Sequence, residues 1–386
     1  MGVSLFSDDA SAIHDPFLRR AYTLALRGRG AVSPNPMVGC VIVRDGVVVG
    51  EGYHQRAGAA HAEVVALAAA GDSARGATVF VTLEPCTHYG RTPPCAPALL
   101  KAGVARVVIG MRDPNPAVSG GGAALLAEAG VAVEFAAHEG PFVGLNEAWL
   151  HRLATGRPFT RVKVALTLDG RPALYASRRA RITGAGGSSV TMDLRAAASA
   201  VAVGAATVRV DDPVLTSRDQ DGRAAVRQPT RVIISRTSVP SSSARIFTTG
   251  TSPVLLVTSD AADSKAVAAV ESAGAGVIRY RYADGIGGAL RALADHDIDD
   301  ILIEAGPTIA SALWSARLTD ELIVVQAGGM GGNAAPPLYL GGPDAAAGDL
   351  VPSMRAVEAA IRGEDAITVW RPRKKPDAVS EDGRSS

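Results

Sequence analysis

The amino-acid sequence predicts an α/β protein with two domains. Its 386 residues exceed what one hydrophobic core usually supports, and 47% of them are apolar, enough for two cores. Short β-branched runs alternate with helix-forming stretches along most of the chain, a pattern typical of layered α/β folds. We therefore expect domains at residues 1–154 and 155–372. Residues 373–386 are polar and charged, so we expect a disordered tail there.

The composition argues against two classes of partner. The formal net charge is +1, so the whole chain has no field that would attract nucleic acid or an anionic membrane. No uninterrupted apolar stretch approaches the roughly 18 residues of a membrane-spanning helix, and residues 1–15 lack the apolar segment of a signal peptide. Three cysteines suit a reducing compartment. We expect a cytoplasmic protein that binds no nucleic acid and no membrane.

The first predicted elements are a helix and a hairpin. Asp15-Pro16 starts the helix. Two β-branched runs, residues 39–43 and 47–51, are joined by Asp45-Gly46, a dipeptide that favours a tight hairpin turn. Between the helix and the hairpin, Asn35 lies between two prolines that stiffen the backbone, which suits a side chain that must be held in place to bind a ligand. An ordinary polar turn is the alternative.

Four residues between positions 61 and 95 have the pattern of a catalytic zinc site. His61, Cys86 and Cys95 supply three ligands, which leaves the fourth tetrahedral position of a zinc ion for a water molecule that the ion acidifies. Glu63, two residues after the histidine, can face that water and transfer protons. We expect one zinc ion per chain, with Glu63 as the catalytic acid and base. The alternatives are unrelated thiols beside a chance histidine, or a structural zinc site, which usually has four protein ligands.

Two predicted helix starts lie next to these ligands. Residues 61–70 are good helix formers, so His61 and Glu63 fall in a first turn. Residues 77–83 form a predicted buried strand that continues into Pro85-Cys86. Proline suits the first turn of a helix, and a thiol at a helix N-terminus ionises more easily, so we expect a second helix to begin at Pro85-Cys86.

The remainder of the first half continues the alternation of strands and helices. We predict strands at residues 106–110 and 131–135, a helix at 123–129 and a connecting helix at 141–153. Asp113 and Asn115 follow the first of these strands, where α/β sheets commonly hold ligands. The alternative is that Asp113-Pro114-Asn115-Pro116 only forms a turn, because these residue types favour turns.

The second half contains a longer set of strands. Candidates lie at residues 159–167, 200–203, 231–235, 254–258, 277–280, 301–304 and 322–326, with a helix at 192–198. Glu304 ends one strand, and Gly306 and Pro307 lead into a helix whose N-terminus suits an anion. A glycine group at 328–332 lacks the dinucleotide-binding spacing G-x-G-x-x-G. Asp211-Asp212-Pro213 indicates a turn.

These motifs resemble those of the bifunctional riboflavin-biosynthesis enzymes, in which a pyrimidine deaminase is fused to a 5-amino-6-(5-phosphoribosylamino)uracil reductase. The resemblance extends from about Phe17 to Trp370, in the family's order. The motifs that carry it are Ser33-Pro34-Asn35-Pro36-Met37-Val38-Gly39-Cys40, Ala57-Gly58, His61-Ala62-Glu63, Glu84-Pro85-Cys86, Thr92-Pro93-Pro94-Cys95, Asp113-Pro114-Asn115-Pro116, Leu168-Asp169-Gly170, Ile182-Thr183-Gly184, Asp211-Asp212-Pro213 and Glu304-Ala305-Gly306-Pro307-Thr308.

For the first domain the resemblance implies a cytidine-deaminase-like α/β/α fold. Its reaction would be the hydrolytic removal of an amine from 2,5-diamino-6-(5-phosphoribosylamino)pyrimidin-4-one by a zinc-activated hydroxide, with Glu63 passing the proton to ammonia. The implied substrate contacts are Asn35, His54, Arg91, Asp113 and Asn115. Arg91, in place of the family's usual lysine, would lie near the phosphate.

For the second domain the resemblance implies a dihydrofolate-reductase-like α/β fold that uses NADPH to reduce the ribosyl group to a ribityl group. The implied substrate contacts are Arg195, Leu215, Arg218 and Glu304. The implied NADPH contacts are Ala165, Thr207, Asp211, Ser235 and Gly306. For the whole enzyme we expect a small phosphorylated pyrimidine as substrate, and a homo-oligomer.

Departures from the family pattern leave a second hypothesis open. Arg181 stands where the family usually has an aromatic residue, Arg179 replaces a small polar residue, and Gly186-Gly187-Ser188 replaces a helix-forming stretch. The alternative is an active deaminase joined to a degenerate reductase-like domain that serves binding or oligomerisation. A third hypothesis, a nucleic-acid base deaminase, requires aromatic stacking surfaces, and only 4% of the residues are aromatic.

Overall fold

The computed structural model describes residues 10–87, 93–115, 121–172, 182–219, 221–333, 335, 337–339 and 354–373. The chain divides into two units. The first consists of Met1–Phe159, Ala196–Ala200 and Leu290–Asp300, and the second of Thr160–Arg195, Val201–Ala289 and Ile301–Ser386. The predicted disordered tail lies outside the described residues, except for residue 373.

The first unit contains a mixed sheet with helices on both faces. In chain order its main elements are α1 (Pro16–Leu26), β1 (Gly39–Arg44), β2 (Val47–Tyr53), α2 (Ala62–Ala70), β3 (Thr78–Val81), α3 (Cys95–Ala102), β4 (Arg106–Ile109), α4 (Gly121–Glu128), β5 (Ala132–Phe135), α5 (Gly140–Leu145) and α6 (Glu147–Thr155). Within the described part of this unit the strand order is β2-β1-β3-β4-β5. Strand β1 is antiparallel to both of its neighbours, whereas β3, β4 and β5 are parallel.

Local sequence accounts for the first elements. The Asp15 carboxylate accepts the backbone N–H groups of Phe17 and Leu18, both at 2.9 Å, and so caps α1. Asp45 and Gly46 have φ values of 50° and 78°, as the predicted tight turn between β1 and β2 requires. These two predictions are confirmed.

Strand β1 separates two hydrophobic cores. Cys40 and Ile42 point into a core that includes side chains of α2, α3 and α4. Val41 and Val43 point to the opposite face, into a core that includes side chains of α1, α5 and α6. This alternation is the period of two expected for a strand with helices on both sides.

Two predictions about helices in this unit were wrong. No helix begins at Pro85-Cys86, because the second helix near the zinc ligands, α3, starts at Cys95 after the N-cap residue Pro94. The predicted connecting helix at 141–153 is two helices, α5 and α6, which meet at Asn146. The side chain of Asn146 forms hydrogen bonds with the backbone of Met37 rather than facing solvent.

The second half of the chain forms a larger sheet. Its elements are β6 (Phe159–Leu166), α7 (Ala185–Ala197), β7 (Ala200–Gly204), α8 (Ala205–Asp211), β8 (Thr230–Ile234), α9 (Arg245–Thr248), β9 (Val254–Ser259), α10 (Ser264–Ser272), β10 (Gly276–Tyr280), α11 (Gly285–Ala294), β11 (Asp300–Glu304), α12 (Pro307–Ser315), β12 (Glu321–Gln326), β13 (Met354–Arg362) and β14 (Asp365–Pro372). The order of the nine described strands is β10-β9-β8-β7-β11-β6-β12-β14-β13. Strand β6 is parallel to β12, and β14 is antiparallel to both β12 and β13.

The α/β class is confirmed, with three differences in the second half. Helix α7 begins seven residues before the predicted start at residue 192. The hairpin of β13 and β14 was not predicted, because β13 lies at the edge of the sheet and most of its side chains are not buried. Asp211 is the last residue of α8, and the predicted turn begins at Asp212, which has a φ of 41°. Within the described ranges, none of the helices has the length and apolarity needed to cross a bilayer.

Candidate active site

The three predicted zinc ligands come from three elements of the first unit. His61 is the N-cap residue of α2, with extended backbone dihedrals, so it precedes the first turn in which Glu63 lies. Cys86 lies in the loop after β3, and Cys95 is the first residue of α3. The N–H of Cys95 donates to the Cys86 sulfur at 3.4 Å, so the start of α3 orients the other thiol. Two helix starts therefore adjoin the ligands, as predicted, although the second is at Cys95.

The ligand atoms are close enough to hold one ion. One possible ligand atom from each residue lies within 4.8 Å of the other two. Among the described residues, His61, Cys86 and Cys95 are the group that could hold a metal ion. The His61 Nδ1 lies 3.0 Å from the Cys95 sulfur and 3.5 Å from the Cys86 sulfur. Bonds of roughly 2.0 Å to nitrogen and 2.3 Å to sulfur at tetrahedral angles would place such atoms about 3.5 Å apart. One imidazole and two thiols in this arrangement fit zinc.

The two thiols of this group differ in acidity. A hydrogen bond from the Cys95 thiol, assisted by His61 and the Cys95 N–H, lowers the pKa of Cys86 to about 4. Donating that hydrogen bond, together with burial, raises the pKa of Cys95. Cys86 is therefore the more readily ionised sulfur, and a cation at this place would favour ionisation of both.

Glu63 is a buried carboxyl group beside the ligands. It is 4% exposed, and burial is the main cause that raises its pKa. The nearby His61 has the opposite, weaker influence on the pKa of Glu63. A raised pKa makes this carboxyl group easier to protonate than an exposed glutamate, which suits a general acid and base.

A cavity of about 310 Å³ connects these residues with the predicted substrate contacts. Its volume is at the lower end of the range of roughly 300–1,000 Å³ that small-molecule sites have. The predicted site residues that line this cavity are Asn35, His54, His61, Glu63, Cys86, Asp113 and Asn115. Cys95 is fully buried. Arg91, the remaining predicted contact, lies outside the described residues.

His54 and Asn35 form a neutral hydrogen-bonded pair in this cavity. The His54 Nδ1 lies 3.1 Å from the carbonyl oxygen of Ala60, so Nδ1 carries the proton and donates. The unprotonated Nε2 then accepts from the Asn35 amide nitrogen at 3.0 Å. Burial is the main cause that lowers the pKa of His54. This bond fixes the amide orientation of Asn35, leaving its carbonyl oxygen to face a ligand.

Glu84 orders the loop that carries Asp113 and Asn115. Its buried carboxylate accepts the N–H of Asp113 at 3.3 Å and the N–H of Ala123 at 3.0 Å. Asp113 in turn accepts the N–H of Asn115 at 2.9 Å. The sequence showed Glu84 only as part of a motif. Its place directly after a buried strand was the available signal for this role.

Helix α6 supplies a wall of the cavity that the sequence reasoning missed. Trp149, Arg152 and Leu153 line the cavity, with the spacing i, i+3, i+4 that places side chains on one face of a helix. The same spacing of apolar and polar residues occurs in any amphipathic helix that connects two elements. Sequence alone therefore gave no reason to assign this helix to the site.

In the second unit, Arg195 and Glu304 form a bidentate ion pair. The Arg195 Nε and terminal nitrogen donate to the two Glu304 oxygens at 2.5 and 2.9 Å, and a further nitrogen donates to the Thr216 carbonyl oxygen at 2.9 Å. Lys163, which was not predicted, is close enough to both for electrostatic effects. Burial lowers the pKa of Lys163, and Glu304 partly offsets this.

The other predicted residues of the second unit are distributed as follows. Thr207 and Gly306 are neighbours, since a Cβ on Gly306 would lie 3.8 Å from the Thr207 hydroxyl oxygen. Ser235 follows β8, and Ala165 pairs with Val325 in the sheet. Asp211 ends α8. Leu215 precedes Thr216, whose carbonyl oxygen accepts from Arg195. Leu215 is 2% exposed, and the Arg218 guanidinium donates to the Gly222 carbonyl oxygen at 3.2 Å.

The glycine group at 328–332 is held by Asp169. The Asp169 carboxylate accepts the N–H groups of Gly331 at 2.7 Å and Gly332 at 2.8 Å. These bonds, and one from Thr167, lower the pKa of Asp169 to about 2. Two amides of this loop are therefore already used, which argues against their binding a dinucleotide phosphate.

The glycines at the start of α7, which depart from the family pattern, have a structural explanation. A Cβ on Gly186 would lie 1.8 Å from the carbonyl oxygen of Arg362, so only glycine allows the hairpin of β13 and β14 to approach. From that hairpin, Asp365 accepts the N–H groups of Gly184 and Gly187 at distances from 2.8 to 3.1 Å. The Ser188 hydroxyl donates to the Gly184 carbonyl oxygen at 2.9 Å. Arg179 and Arg181 lie outside the described residues.

Two family models match the chain. The model of the RibD C-terminal domain matches residues 158–368. The model of the cytidine and deoxycytidylate deaminase zinc-binding region matches residues 11–111, which include His61, Glu63, Cys86 and Cys95.

Curated relatives and solved structures give the same result. Riboflavin biosynthesis protein RibD of Escherichia coli is 42% identical over 318 residues, which cover 80% of this chain and 86% of the relative. RibD of Haemophilus influenzae is 39% identical over 317 residues, covering 80% of this chain and 84% of the relative.

Among solved structures, RibD of Acinetobacter baumannii is 36% identical with a TM-score of 0.82, covering 93% of this chain and 98% of that structure. The diaminohydroxyphosphoribosylaminopyrimidine deaminase/5-amino-6-(5-phosphoribosylamino)uracil reductase of Thermotoga maritima is 33% identical with a TM-score of 0.77, covering 92% and 98%. These matches confirm the predicted fold class, a cytidine-deaminase-like domain followed by a dihydrofolate-reductase-like domain. With this identity over most of its length, the chain belongs to the RibD family of riboflavin biosynthesis proteins.

Proposed function

We propose that this chain catalyses two successive reactions of riboflavin biosynthesis. The first is the hydrolytic deamination of 2,5-diamino-6-(5-phosphoribosylamino)pyrimidin-4-one, and the second is the NADPH-dependent reduction of the ribosyl group of the product to ribityl. The observation that carries the proposal is the cavity in which the ligand residues and Glu63 meet Asn35, Asp113 and Asn115.

In the deaminase, His61, Cys86 and Cys95 would hold zinc, which supplies the Lewis acidity that makes water a nucleophile near neutral pH. Glu63 accepts a proton from the attacking water and delivers it to the departing amine. The C–N bond breaks as ammonia leaves, and a carbonyl group remains on the ring. Burial raises the pKa of Glu63, which favours its taking up the proton that it then delivers.

The residues around Glu63 would bind and orient the pyrimidine. The neutral state of His54 directs the Asn35 amide, so Asn35 presents its carbonyl oxygen to a donor on the ring. Asp113 and Asn115 lie on the loop that Glu84 holds, and they offer further polar groups. Arg91 would bind the phosphate, as the family resemblance implies.

In the reductase, bound NADPH would supply the hydride that reduces the ribosyl group. Arg195 and Glu304 would contact the substrate as a preorganised pair, with Leu215 and Arg218 as further contacts. Lys163 is an additional candidate for the proton that must accompany the hydride, because it lies near Glu304 and Arg195 and burial lowers its pKa. Ala165, Thr207, Asp211, Ser235 and Gly306 would contact NADPH.

The alternative of a degenerate reductase domain is not favoured. It rested on three departures, and one of them, the glycines at the start of α7, is accommodated by the hairpin contact and by Asp365. The RibD C-terminal match extends across most of this half of the chain. We retain the domain boundaries at 1–154 and 155–372 as a proposal, together with a homo-oligomer in the cytoplasm.

Ammonia release tests the deaminase half directly. Purified full-length enzyme with one zinc ion per chain should release ammonia from the phosphoribosylated diaminopyrimidinone. Incubation with cytidine and with deoxycytidylate serves as a comparison for substrate class. Release from the cytosine compounds alone would contradict the proposed substrate, although not the zinc chemistry.

A further inference from the structure

One wall of the cavity is a helix that lies beyond the part of the chain matched by the deaminase zinc-binding family model, as do Asp113 and Asn115. The match to the cytidine and deoxycytidylate deaminase zinc-binding region ends at residue 111, whereas α6 begins at Glu147. Trp149, Arg152 and Leu153 on one face of α6 line the same cavity as His61 and Glu63. We call these three residues the α6 wall.

A buried asparagine fixes the α6 wall relative to the loop that carries Asn35. Asn146, just before α6, is 2% exposed. Its side-chain oxygen accepts the N–H of Met37 at 2.7 Å, and its amide nitrogen donates to the carbonyl oxygen of Met37 at 3.1 Å. The backbone N–H and carbonyl oxygen of Met37 are thus both used to join α6 to the loop that carries Asn35. The α6 wall is therefore part of a preorganised site and not a mobile cover.

Arg152 is also held in place. Its guanidinium donates to Asp299 at 3.0 Å and to the carbonyl oxygen of Ala294 at 3.0 Å. Arg152 is the one lysine or arginine among the described residues that line the cavity, and its positive charge is partly offset by the ion pair with Asp299. Trp149 and Leu153 add apolar surface beside that charge.

We propose that the α6 wall recognises the phosphoribosyl substituent of the substrate and thereby sets substrate class. The residues shared with other deaminases must surround the amine-bearing carbon, because the chemistry occurs there. An aromatic, a cationic and an aliphatic side chain beyond that region suit a ribose and its anionic group. This inference rests on the proposed deaminase function and deepens it.

Leu153 offers a test that does not disturb the core. Leu153 is 46% exposed and lines the cavity, whereas Val143 on α5 is similarly exposed, at 41%, and is not among the described lining residues. Leu153→Asp places a negative charge on the α6 wall, and Val143→Asp places the same charge elsewhere on the first unit. Each variant is assayed for ammonia release with the phosphoribosylated substrate, after its zinc content has been confirmed to equal that of the wild type.

Repulsion between the new carboxylate and the phosphate should raise the KM of Leu153→Asp roughly tenfold, and added salt should reduce the effect. Its kcat should stay close to that of the wild type, and Val143→Asp should resemble the wild type in both constants. The dephosphorylated compound, measured as a competitive inhibitor, should show a much smaller change in inhibition constant.

Equal KM values for the two variants would overturn the inference. So would an equal weakening of the phosphorylated and dephosphorylated compounds, since that result would indicate altered packing only. Failure of the proposed function is distinguishable, because wild-type enzyme would then release no ammonia from the phosphoribosylated compound at all.

Discussion

Glu63 is a buried carboxyl group whose surroundings fit a proton carrier. Burial raises its pKa, while the adjacent His61 has a smaller opposing effect. The carboxyl group lines the cavity, and two of the ligand residues line it as well. Its place at the first turn of α2, directly after the N-cap His61, follows from the short spacing His-x-Glu. This spacing is why the sequence alone predicted both residues.

Replacing Glu63 by glutamine should separate zinc binding from catalysis. The amide keeps the size of the side chain but cannot accept a proton from water, so we expect ammonia release to fall by roughly 10²-fold or more. Zinc content, measured on the purified variant, should remain at one ion per chain. Glu139→Gln, at an exposed position outside the cavity, is the control. Wild-type activity in the Glu63 variant would remove this residue from the mechanism.

Asp299 binds its proton more tightly in the folded chain than in the unfolded chain. Burial raises its pKa to about 6, which outweighs the attraction of Arg152. An aspartate in an unfolded chain has a pKa near ~3.9. Between these values the folded state binds more protons, so the free energy of unfolding falls as pH rises. The stabilisation is fully present below about pH 4 and is lost as pH passes about 6.

Asp299→Asn should therefore stabilise the first unit at alkaline pH. Asparagine can still accept the Arg152 hydrogen bond, and it has no carboxylate to ionise. We expect the free energy of unfolding to rise by about 1–2 kcal/mol at pH 8 and to change little at about pH 3.5, below both pKa values. Thermal unfolding at both pH values measures this, with the exposed Asp295→Asn as control. A variant less stable than the wild type at pH 8 would show that the Arg152–Asp299 charge pair is net stabilising.

At the scale of elements, the zinc ligands were predictable and their local structure only in part. The residue types of His61, Cys86 and Cys95, with Glu63 two residues after the histidine, indicated a metal site without any reference to the fold. The helix start was misplaced because Pro85 and Pro94 both fit the rule for a helix beginning. The structure selects the later one, since the Cys86 carbonyl oxygen accepts the N–H of Ala96 and its sulfur accepts the N–H of Cys95.

Helix α6 illustrates a different limit of sequence reasoning. Trp149, Arg152 and Leu153 have a spacing that also suits ordinary core packing, so the pattern does not reveal what the face contacts. The decisive contact is between Asn146 and Met37, which are 109 residues apart. Contacts over such separations depend on tertiary packing, and a single sequence does not encode them in a local pattern.

Helix α7 depends on glycine at the contact with the hairpin of β13 and β14. Gly186→Ala would place a Cβ 1.8 Å from the Arg362 carbonyl oxygen, so the backbone must shift. We expect the second unit to lose roughly 1–3 kcal/mol of stability. Gly328→Ala is the matched control, because a Cβ there has no neighbour within 4 Å among the described residues. Thermal unfolding with equal midpoints for the two variants would contradict this contact.

At the scale of the molecule, the sequence predicted the fold class and most strands from periodicity. The β1–β2 hairpin was predictable because Asp45-Gly46 encodes its turn locally. The pairing of β14 with β12 was not, because Leu322 and Trp370 are far apart in the chain. The functional assignment of the second half came from the resemblance, since its glycine turns and its Arg195–Glu304 pair give weak signals in isolation.

Zinc removal should affect the two activities differently. A catalytic site with three protein ligands is not expected to hold the fold together, so chelation should abolish ammonia release. Far-UV circular dichroism should change little, and NADPH oxidation with the deaminated intermediate should persist. Unfolding of the whole chain on chelation would instead indicate a structural zinc site.

The central claim is that one chain performs deamination and then reduction. The most direct measurement follows ammonia release and NADPH oxidation together, in one reaction with the phosphoribosylated diaminopyrimidinone. We predict that NADPH oxidation lags behind ammonia release and reaches one NADPH per ammonia. In Glu63→Gln both should nearly cease, and adding deaminated intermediate should restore NADPH oxidation alone. Ammonia release without NADPH oxidation, or NADPH oxidation that proceeds before deamination, would contradict the account.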